Sequence, residues 1–164
     1  MRLWHKDLID VLPRQQLLGQ WRECCLIVRN LAMSGSPHHI LVDKIVRFPI
    51  DDFVTYTIMV QAEMERRGYH CDAQKFNQWL YFDNPGNGAQ RLTYKQCRKK
   101  GLIRLRREGF EIRPSEDIFK GWHDWRYLQQ CYYNLEEKHD CGGISDSEWL
   151  LVWEKCCYLM EGLL

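Results

Sequence analysis

The chain has 164 residues, of which 45% are hydrophobic and 13% aromatic, and its formal net charge is +1. This length and apolar content predict one compact domain with a sizeable core, covering residues 1–164. No apolar run approaches the roughly 20 residues that cross a bilayer, and the first residues lack the apolar stretch of a secretory signal. These features exclude a membrane-spanning protein, and we expect a cytoplasmic location.

Hydrophobic spacing predicts a mainly α-helical fold. The first long helix should run from about Arg14 to about Met33, because Pro13 precedes it and a Ser-Gly-Ser-Pro run follows it. A helix over Asp51–Arg67 should have Asp51 or Asp52 near its start and Gly68 at its end. Further helices are predicted over Pro37–Phe48 (a short one), Asp72–Tyr81, Thr93–Lys100, Ser115–Lys138, and from Ser145 or Ser147 to about Leu159.

One side of the first helix is polar around Glu23, away from its apolar stripe. Gln16, Gly19 and Gln20 precede Glu23 by seven, four and three residues, and therefore share its side of the helix. A glycine inside a helix costs about 1 kcal/mol relative to alanine, so Gly19 needs a reason. It either clears space over Glu23 for a ligand or lets another helix approach closely.

Eight cysteines occur as adjacent pairs and scattered single residues, which is typical of reduced thiols in a cytosolic protein. We expect the pairs Cys24-Cys25 and Cys156-Cys157 to be buried thiols on helices. A weaker alternative is a zinc site formed by Cys131, His139 and Cys141. The same residues, followed by two glycines, also fit a helix end and turn.

The charges are unevenly distributed along the chain. Residues 91–113 carry nine basic residues against two acidic ones, a net charge of +7, whereas residues 114–164 carry four against ten, a net charge of −6. The basic segment is either a solvated face or a surface that contacts phosphates, and its clustering favours phosphates. Arg98, Lys99 and Lys100 are its candidate DNA contacts.

Aromatic residues are dense in the acidic segment. Trp149 and Trp153 have helical spacing, which predicts core positions. Trp122, Trp125 and Tyr132 follow the basic segment and could instead form a wedge that opens a nucleic-acid duplex. No internal repeat or low-complexity tract is visible.

The beginning of the chain suggests a nucleophile. Methionine aminopeptidase requires a small second residue, so Arg2 should leave Met1 in place, with a free α-amino group once any formyl group is removed. An α-amino group has a reference pKa of roughly 8, against about 10.4 for lysine, so a useful fraction is neutral at pH 7. Schiff-base chemistry needs that neutral amine together with a carboxylate that moves protons, for which Glu23 is the candidate.

Two stretches carry a resemblance to a known family. The run Met1-Arg2-Leu3-Trp4, followed by Arg14-Gln-Gln-Leu-Leu-Gly-Gln-Trp-Arg-Glu23, is similar to the start of the pyrimidine-dimer DNA glycosylases of the phage endonuclease V type. The stretch Phe53–Tyr69, which ends in Arg66-Arg67-Gly68-Tyr69, is similar to the next long helix of that family. The resemblance covers residues 1–70, the catalytic part.

The resemblance implies a repair enzyme that acts on double-stranded DNA containing a damaged pyrimidine or an abasic site. Met1 would supply the attacking amine, Glu23 would be the catalytic carboxylate, and Arg2 and Arg22 would hold phosphates. The N-terminus would pack against the first long helix of a single-domain helical fold. No metal or organic cofactor is implied, and we expect a monomer associated with the nucleoid.

Two positions depart from the family pattern. Gln16 stands where the phage enzyme has a histidine, and Leu26 stands where it has an arginine that contacts DNA. We interpret Gln16 as a candidate contact to DNA, and His5 as either a similar contact or an exposed histidine. The alternatives to a glycosylase are an abasic-site lyase without glycosylase activity and a non-catalytic DNA-binding module with the same fold.

Overall fold

The computed structural model of the chain describes residues 1–80, 95–96 and 109–161. These residues form helices, turns and bends and contain no β-strand, which confirms the predicted mainly α-helical fold. The described ranges contain two 3-10 helices, η1 (Lys6–Val11) and η2 (Asp43–Arg47). The α-helices whose bounds are described are α1 (Arg14–Ser34), α2 (Ile50–Arg66), α3 (Gln74–Leu80), α4 (Trp125–Asp140) and α5 (Asp146–Glu161).

One cluster of buried apolar side chains extends from Leu3 to Cys156 and holds the helices together. Helix α1 packs on α2 and α3, α4 packs on α5, and η1 contacts both α2 and α5. Tyr56, Phe53 and Phe119 are among the largest fully buried side chains. Burying a large apolar side chain contributes roughly 1.5–3 kcal/mol, so this cluster is the main source of stability.

Helix α1 agrees with its predicted bounds. Pro13 stands directly before its first turn, where the missing N–H costs nothing. Gly35 ends it in the left-handed conformation, with φ of 78°, and donates its N–H to the carbonyl of Leu31. A left-handed residue at this position is what favours glycine at helix ends.

The two aspartates at the start of α2 do more than begin the helix, which is the only role predicted for them. Asp51 and Asp52 are buried, and their carboxylates bind the segment that follows residue 108. Asp51 accepts a hydrogen bond from the N–H of Glu111 (2.8 Å), and Asp52 accepts one from the N–H of Phe119 (2.9 Å). Asp52 also binds the guanidinium of Arg113. These bonds fix a long connection onto the start of α2.

The predicted helix over Ser115–Lys138 is wrong in its first half. Residues 115–122 form turns, Phe119 has a left-handed φ of 54°, and α4 begins only at Trp125. Its N-cap is Asp124, which accepts a hydrogen bond from the N–H of Tyr127. Contacts with distant residues determine this turn, because Asp52 binds the backbone of Phe119 and the core encloses its ring.

The other elements differ less from their predicted bounds. The predicted short helix over Pro37–Phe48 is a turn followed by η2, while η1 was not predicted. Helix α3 begins at Gln74, two residues after its predicted start. Of the two predicted starts of α5, the structure selects Ser145, which forms a reciprocal pair with Glu148, since each side chain accepts from the backbone N–H of the other.

No helix in the described ranges is both long enough and apolar enough to cross a membrane.

Candidate active site

The first residues of the chain lie along the polar side of α1. The N–H of Arg2 donates to Oε2 of Glu23 (2.8 Å), and the N–H of Trp4 donates to Oε1 of Gln20 (2.8 Å). Gln20 and Glu23 are three residues apart and therefore lie on one side of the helix, where they bind the N–H groups of two alternate residues, Trp4 and Arg2. This pairing fixes the position of the N-terminal segment along α1.

Two tyrosines bind carbonyl groups of the same segment. The hydroxyl of Tyr56 on α2 donates to the carbonyl of Trp4 (2.8 Å) and lies 3.0 Å from Oε1 of Gln20. The hydroxyl of Tyr127 on α4 donates to the carbonyl of Leu3. Burial raises the pKa of both tyrosines, so both remain neutral donors. Side chains from three helices therefore hold residues 2–4.

The consequence is a short distance between the chain's amino group and Glu23. The amine nitrogen of Met1 lies 3.8 Å from Oε1 of Glu23, while Oε2 of the same carboxylate holds the N–H of Arg2. The side chain of Glu23 keeps 33% of its surface exposed. The prediction that the N-terminus packs against the first long helix is confirmed.

An open cavity of about 380 Å³ lies at this junction. Four predicted site residues line it: Met1, Arg2, Gln16 and Glu23. Six further residues complete the wall: Trp4, Gly19, Gln20, Leu41, Asn134 and Lys138. The cavity therefore combines an amine, a carboxylate and two basic side chains, and it is open to solvent on one side.

Of the predicted DNA contacts on the N-terminal segment and α1, two line the cavity and one does not. The guanidinium of Arg2 lies over the ring of Trp4, 5.4 Å from its centre, which fixes a cation at the cavity wall. Arg22 is exposed on α1 and is not among the residues that line the cavity. Gln16 lines the cavity, and its buried Oε1 has no hydrogen-bond partner among the described residues.

Asn134 and Lys138 were not identified from the sequence. They are four residues apart on α4 and therefore lie on one side of that helix, facing the cavity. More than a hundred residues separate them from Glu23, so no local pattern in the sequence connects the two. Gln20 was grouped with Glu23 by helical spacing, but its hydrogen bond to Trp4 was not predicted.

Gly19 lines the cavity, and a Cβ atom built on it would meet no atom of the described residues within 4 Å. No neighbouring helix in the described part of the chain therefore requires a glycine here, and the open-space interpretation is favoured. We expect Gly19→Ala to raise the thermal midpoint of unfolding, because alanine is better in a helix by about 1 kcal/mol. The rate of cleavage of damaged DNA should fall at the same time. A more stable variant that cleaves at the rate of the unmodified protein would show that Gly19 does not clear space for the substrate.

His5 satisfies neither prediction made for it. It is buried, with 2% of its surface exposed, and does not line the cavity. Its ring stacks on His123 at 5.1 Å, and its Nδ1 accepts from the N–H of Asp7. Burial lowers the pKa of His5 and of His123, which favours a neutral pair that supports the N-terminal segment.

The aromatic residues of the acidic segment also require correction. Trp122 is buried in the core and Trp153 is 47% exposed, so the predicted core position of Trp153 is wrong. Trp149 is half-buried between the rings of Tyr132 and His139. Trp125 and Tyr132 line a different depression, which opens between α4 and α5. None of these aromatic residues lines the cavity that holds Glu23.

The described cysteines are all free thiols. Cys24 and Cys156 are buried, while their neighbours Cys25 and Cys157 are half-buried. Burial raises the pKa of Cys156 to about 12, which makes it an inert thiol. Among residues 1–80, 95–96 and 109–161, no group of three His, Cys, Asp or Glu side chains could hold a metal ion.

The basic segment falls largely outside the described residues. Arg98, Lys99 and Lys100 belong to that part of the chain, so their role as DNA contacts stays a prediction. Lys95 and Gln96 are helical, as predicted for this stretch. At the other end of the segment, Arg113 is fixed on α2 by Asp52 and by Thr55, whose hydroxyl accepts its N–H.

Comparison with known proteins gives one match. The family model described as pyrimidine dimer DNA glycosylase matches residues 1–77, which include η1, α1, η2, α2 and most of α3. No curated protein and no solved structure matches the chain significantly. The matched region contains Met1, Arg2, Gln16 and Glu23, but neither Asn134 nor Lys138. The resemblance seen in the sequence is confirmed over residues 1–77, which are similar to the pyrimidine dimer DNA glycosylases.

Proposed function

We propose that the protein excises damaged pyrimidines from double-stranded DNA and then cuts the strand, using the α-amino group of Met1 as nucleophile. The observation that carries this proposal is the 3.8 Å distance between that amine and Glu23 in an open cavity. A salt bridge alone would not require a cavity at this point. The family match over residues 1–77 supports the same reaction class.

In the proposed reaction the amine attacks C1′ of the damaged nucleotide. The new C–N bond replaces the glycosidic bond, the base leaves, and the sugar ring opens to an imine as its ring oxygen takes up a proton. Removal of a proton from C2′ then expels the 3′ phosphate by β-elimination. Glu23 is suited to these proton transfers, because its Oε1 faces the amine while Oε2 is held by the N–H of Arg2.

Substrate binding in this proposal uses cations at the cavity wall. Arg2 and Lys138 both line the cavity, Arg2 from the N-terminal segment and Lys138 from α4. Each can neutralise a phosphate beside the lesion, which makes binding salt-dependent. Arg22, exposed on the same helix as Glu23, is a candidate for a phosphate farther along the strand, and Arg98, Lys99 and Lys100 are candidates in the basic segment.

The test is cleavage and trapping on matched duplexes that carry one cyclobutane dimer, one abasic site or no lesion. With sodium borohydride we expect a covalent protein–DNA complex on both damaged duplexes, and without it a strand cut that leaves a β-elimination product. The undamaged duplex should give neither. Strand cleavage without any trapped complex would contradict the imine mechanism, and binding without cleavage would indicate a non-catalytic DNA-binding module.

A second candidate function is an abasic-site lyase with little glycosylase activity. It is favoured by Gln16, which lines the cavity in the place where the similar phage enzyme has a histidine. A neutral glutamine cannot become a cation beside the charge that develops on a departing base, whereas histidine can. Imine formation at an existing abasic site has no base to release.

For Gln16→His we therefore expect a higher ratio of dimer cleavage to abasic-site cleavage than in the unmodified protein. The measurement is a side-by-side, single-turnover time course on matched oligonucleotides at fixed salt. Gln15→His, at an exposed neighbouring position outside the cavity lining, is the matched control and should leave the ratio as it was. Equal rates on both substrates, unaltered by Gln16→His, would show that Gln16 takes no part in base release.

A further inference from the structure

A turn beside the cavity exposes two neighbouring apolar side chains to solvent. Ile40 is 83% exposed and Leu41 is 47% exposed, and Leu41 also lines the cavity together with Met1 and Glu23. Single exposed apolar residues are common on protein surfaces and need no explanation. Two consecutive exposed apolar residues at the rim of a candidate active site do need an explanation, because a ligand that enters the site would contact them.

The turn is held in place by several bonds. The carbonyl of His39 accepts from the N–H groups of Val42 and Asp43, both at 2.9 Å. The carboxylate of Asp43 accepts from the N–H of His39 (3.2 Å), which closes the turn from the other side. Val42 is fully buried and anchors the turn in the core. The exposure of Ile40 and Leu41 is therefore built into the fold.

Positive charge follows the turn. Lys44 and Arg47 on η2 are exposed, and neither has a partner among the described residues. An apolar tip next to the cavity, followed along the chain by two exposed cations on η2, fits a nucleic acid, whose stacked bases are apolar and whose backbone is anionic. An apolar protein partner would not require these cations.

We propose that Ile40 and Leu41 form a wedge that enters the base stack of duplex DNA beside the damaged nucleotide. This inference rests on the proposed function, because the cavity must receive that nucleotide. An enzyme that acts on the sugar of a stacked nucleotide has to disturb the stack, and inserted apolar side chains offset part of the cost of unstacking. Trp122, Trp125 and Tyr132, which the sequence suggested as a wedge, do not line this cavity.

The experiment compares the unmodified protein with Ile40→Ala and with the double variant Ile40→Ala/Leu41→Ala. The substrates are a duplex with one abasic site and the same lesion strand without its complement. A wedge is needed only where a duplex must be opened. We expect the ratio of duplex cleavage rate to single-strand cleavage rate to fall by about tenfold in the double variant.

Val46→Ala is the matched control, because Val46 is 43% exposed on η2 and lies outside the cavity lining. Its ratio should equal that of the unmodified protein. A double variant with an unaltered ratio would overturn the wedge, and equal losses on both substrates would also overturn it, because they would indicate a role inside the cavity.

A second readout is independent of catalysis. 2-Aminopurine placed next to the abasic site should become brighter when the unmodified protein binds the duplex, because its stacking is disturbed, and should stay dim with the double variant. Equal brightening with both proteins would contradict the wedge. If neither substrate is cleaved but the brightening still depends on Ile40 and Leu41, the proposed chemistry fails while the wedge stands.

Discussion

Acetylating the α-amino group of Met1, or placing one extra residue before it, should abolish borohydride trapping of the protein on abasic DNA. An acetylated amine cannot form an imine. An added residue moves the amine by up to roughly 3.3–3.6 Å, a displacement comparable to its whole distance from Glu23. The measurement is the yield of covalent complex on a denaturing gel, with duplex affinity measured in parallel.

Affinity should change little, since either modification removes or displaces one charge among several at the cavity. Lys75→Ala is the matched control for losing one amine, because Lys75 is exposed on α3, does not line the cavity and is not among the proposed DNA contacts. That variant should still be trapped. Trapping of the acetylated protein at full yield would show that another amine forms the imine.

Glu23→Gln should reduce strand cleavage by roughly 10²–10⁴-fold, the usual contribution of a positioned acid or base. Glutamine is nearly the same size, and its carbonyl oxygen can still accept the hydrogen bond from the N–H of Arg2. The N-terminal segment should therefore keep its place along α1, while proton exchange at the cavity is lost. The measurement is the single-turnover rate on abasic duplex, together with duplex affinity and the thermal midpoint of unfolding.

Glu154→Gln is the matched control, because Glu154 is exposed on α5 and does not line the cavity. It should cleave at the rate of the unmodified protein. A Glu23→Gln variant that retains its fold and its full rate would remove Glu23 from the mechanism. A loss of rate accompanied by an equal loss of affinity would indicate a binding role instead.

The sequence predicted the half of the site that depends on local periodicity. Helix α1 has strong boundary residues, and helical spacing placed Gln16, Gly19 and Gln20 on the side of Glu23. These four residues line one cavity. The position of Met1 beside Glu23 came from the family resemblance, since the hydrogen bonds that hold the segment involve Tyr56 and Tyr127 on other helices.

The other half of the site depends on contacts between distant residues. Asn134 and Lys138 reach the cavity because α4 crosses the N-terminal segment, and no local spacing signals that crossing. The predicted helix over Ser115–Lys138 failed for the same reason. Its residues permit a helix, but the buried carboxylate of Asp52 and the enclosed ring of Phe119 favour a turn.

The central claim is that the imine forms on the amine of Met1, and peptide mapping of the borohydride-reduced complex tests it most directly. Intact mass measurement of the free protein comes first, because the claim requires an unblocked Met1 at the N-terminus. Lys138 is the most informative rival, since its side chain lines the same cavity. Lys6 is buried and donates to the carbonyl of Ser115, so it is not available. We predict that the nucleotide remnant is found on the N-terminal peptide, attached to the α-nitrogen of Met1. A remnant on Lys138, or on any other lysine, would contradict the account.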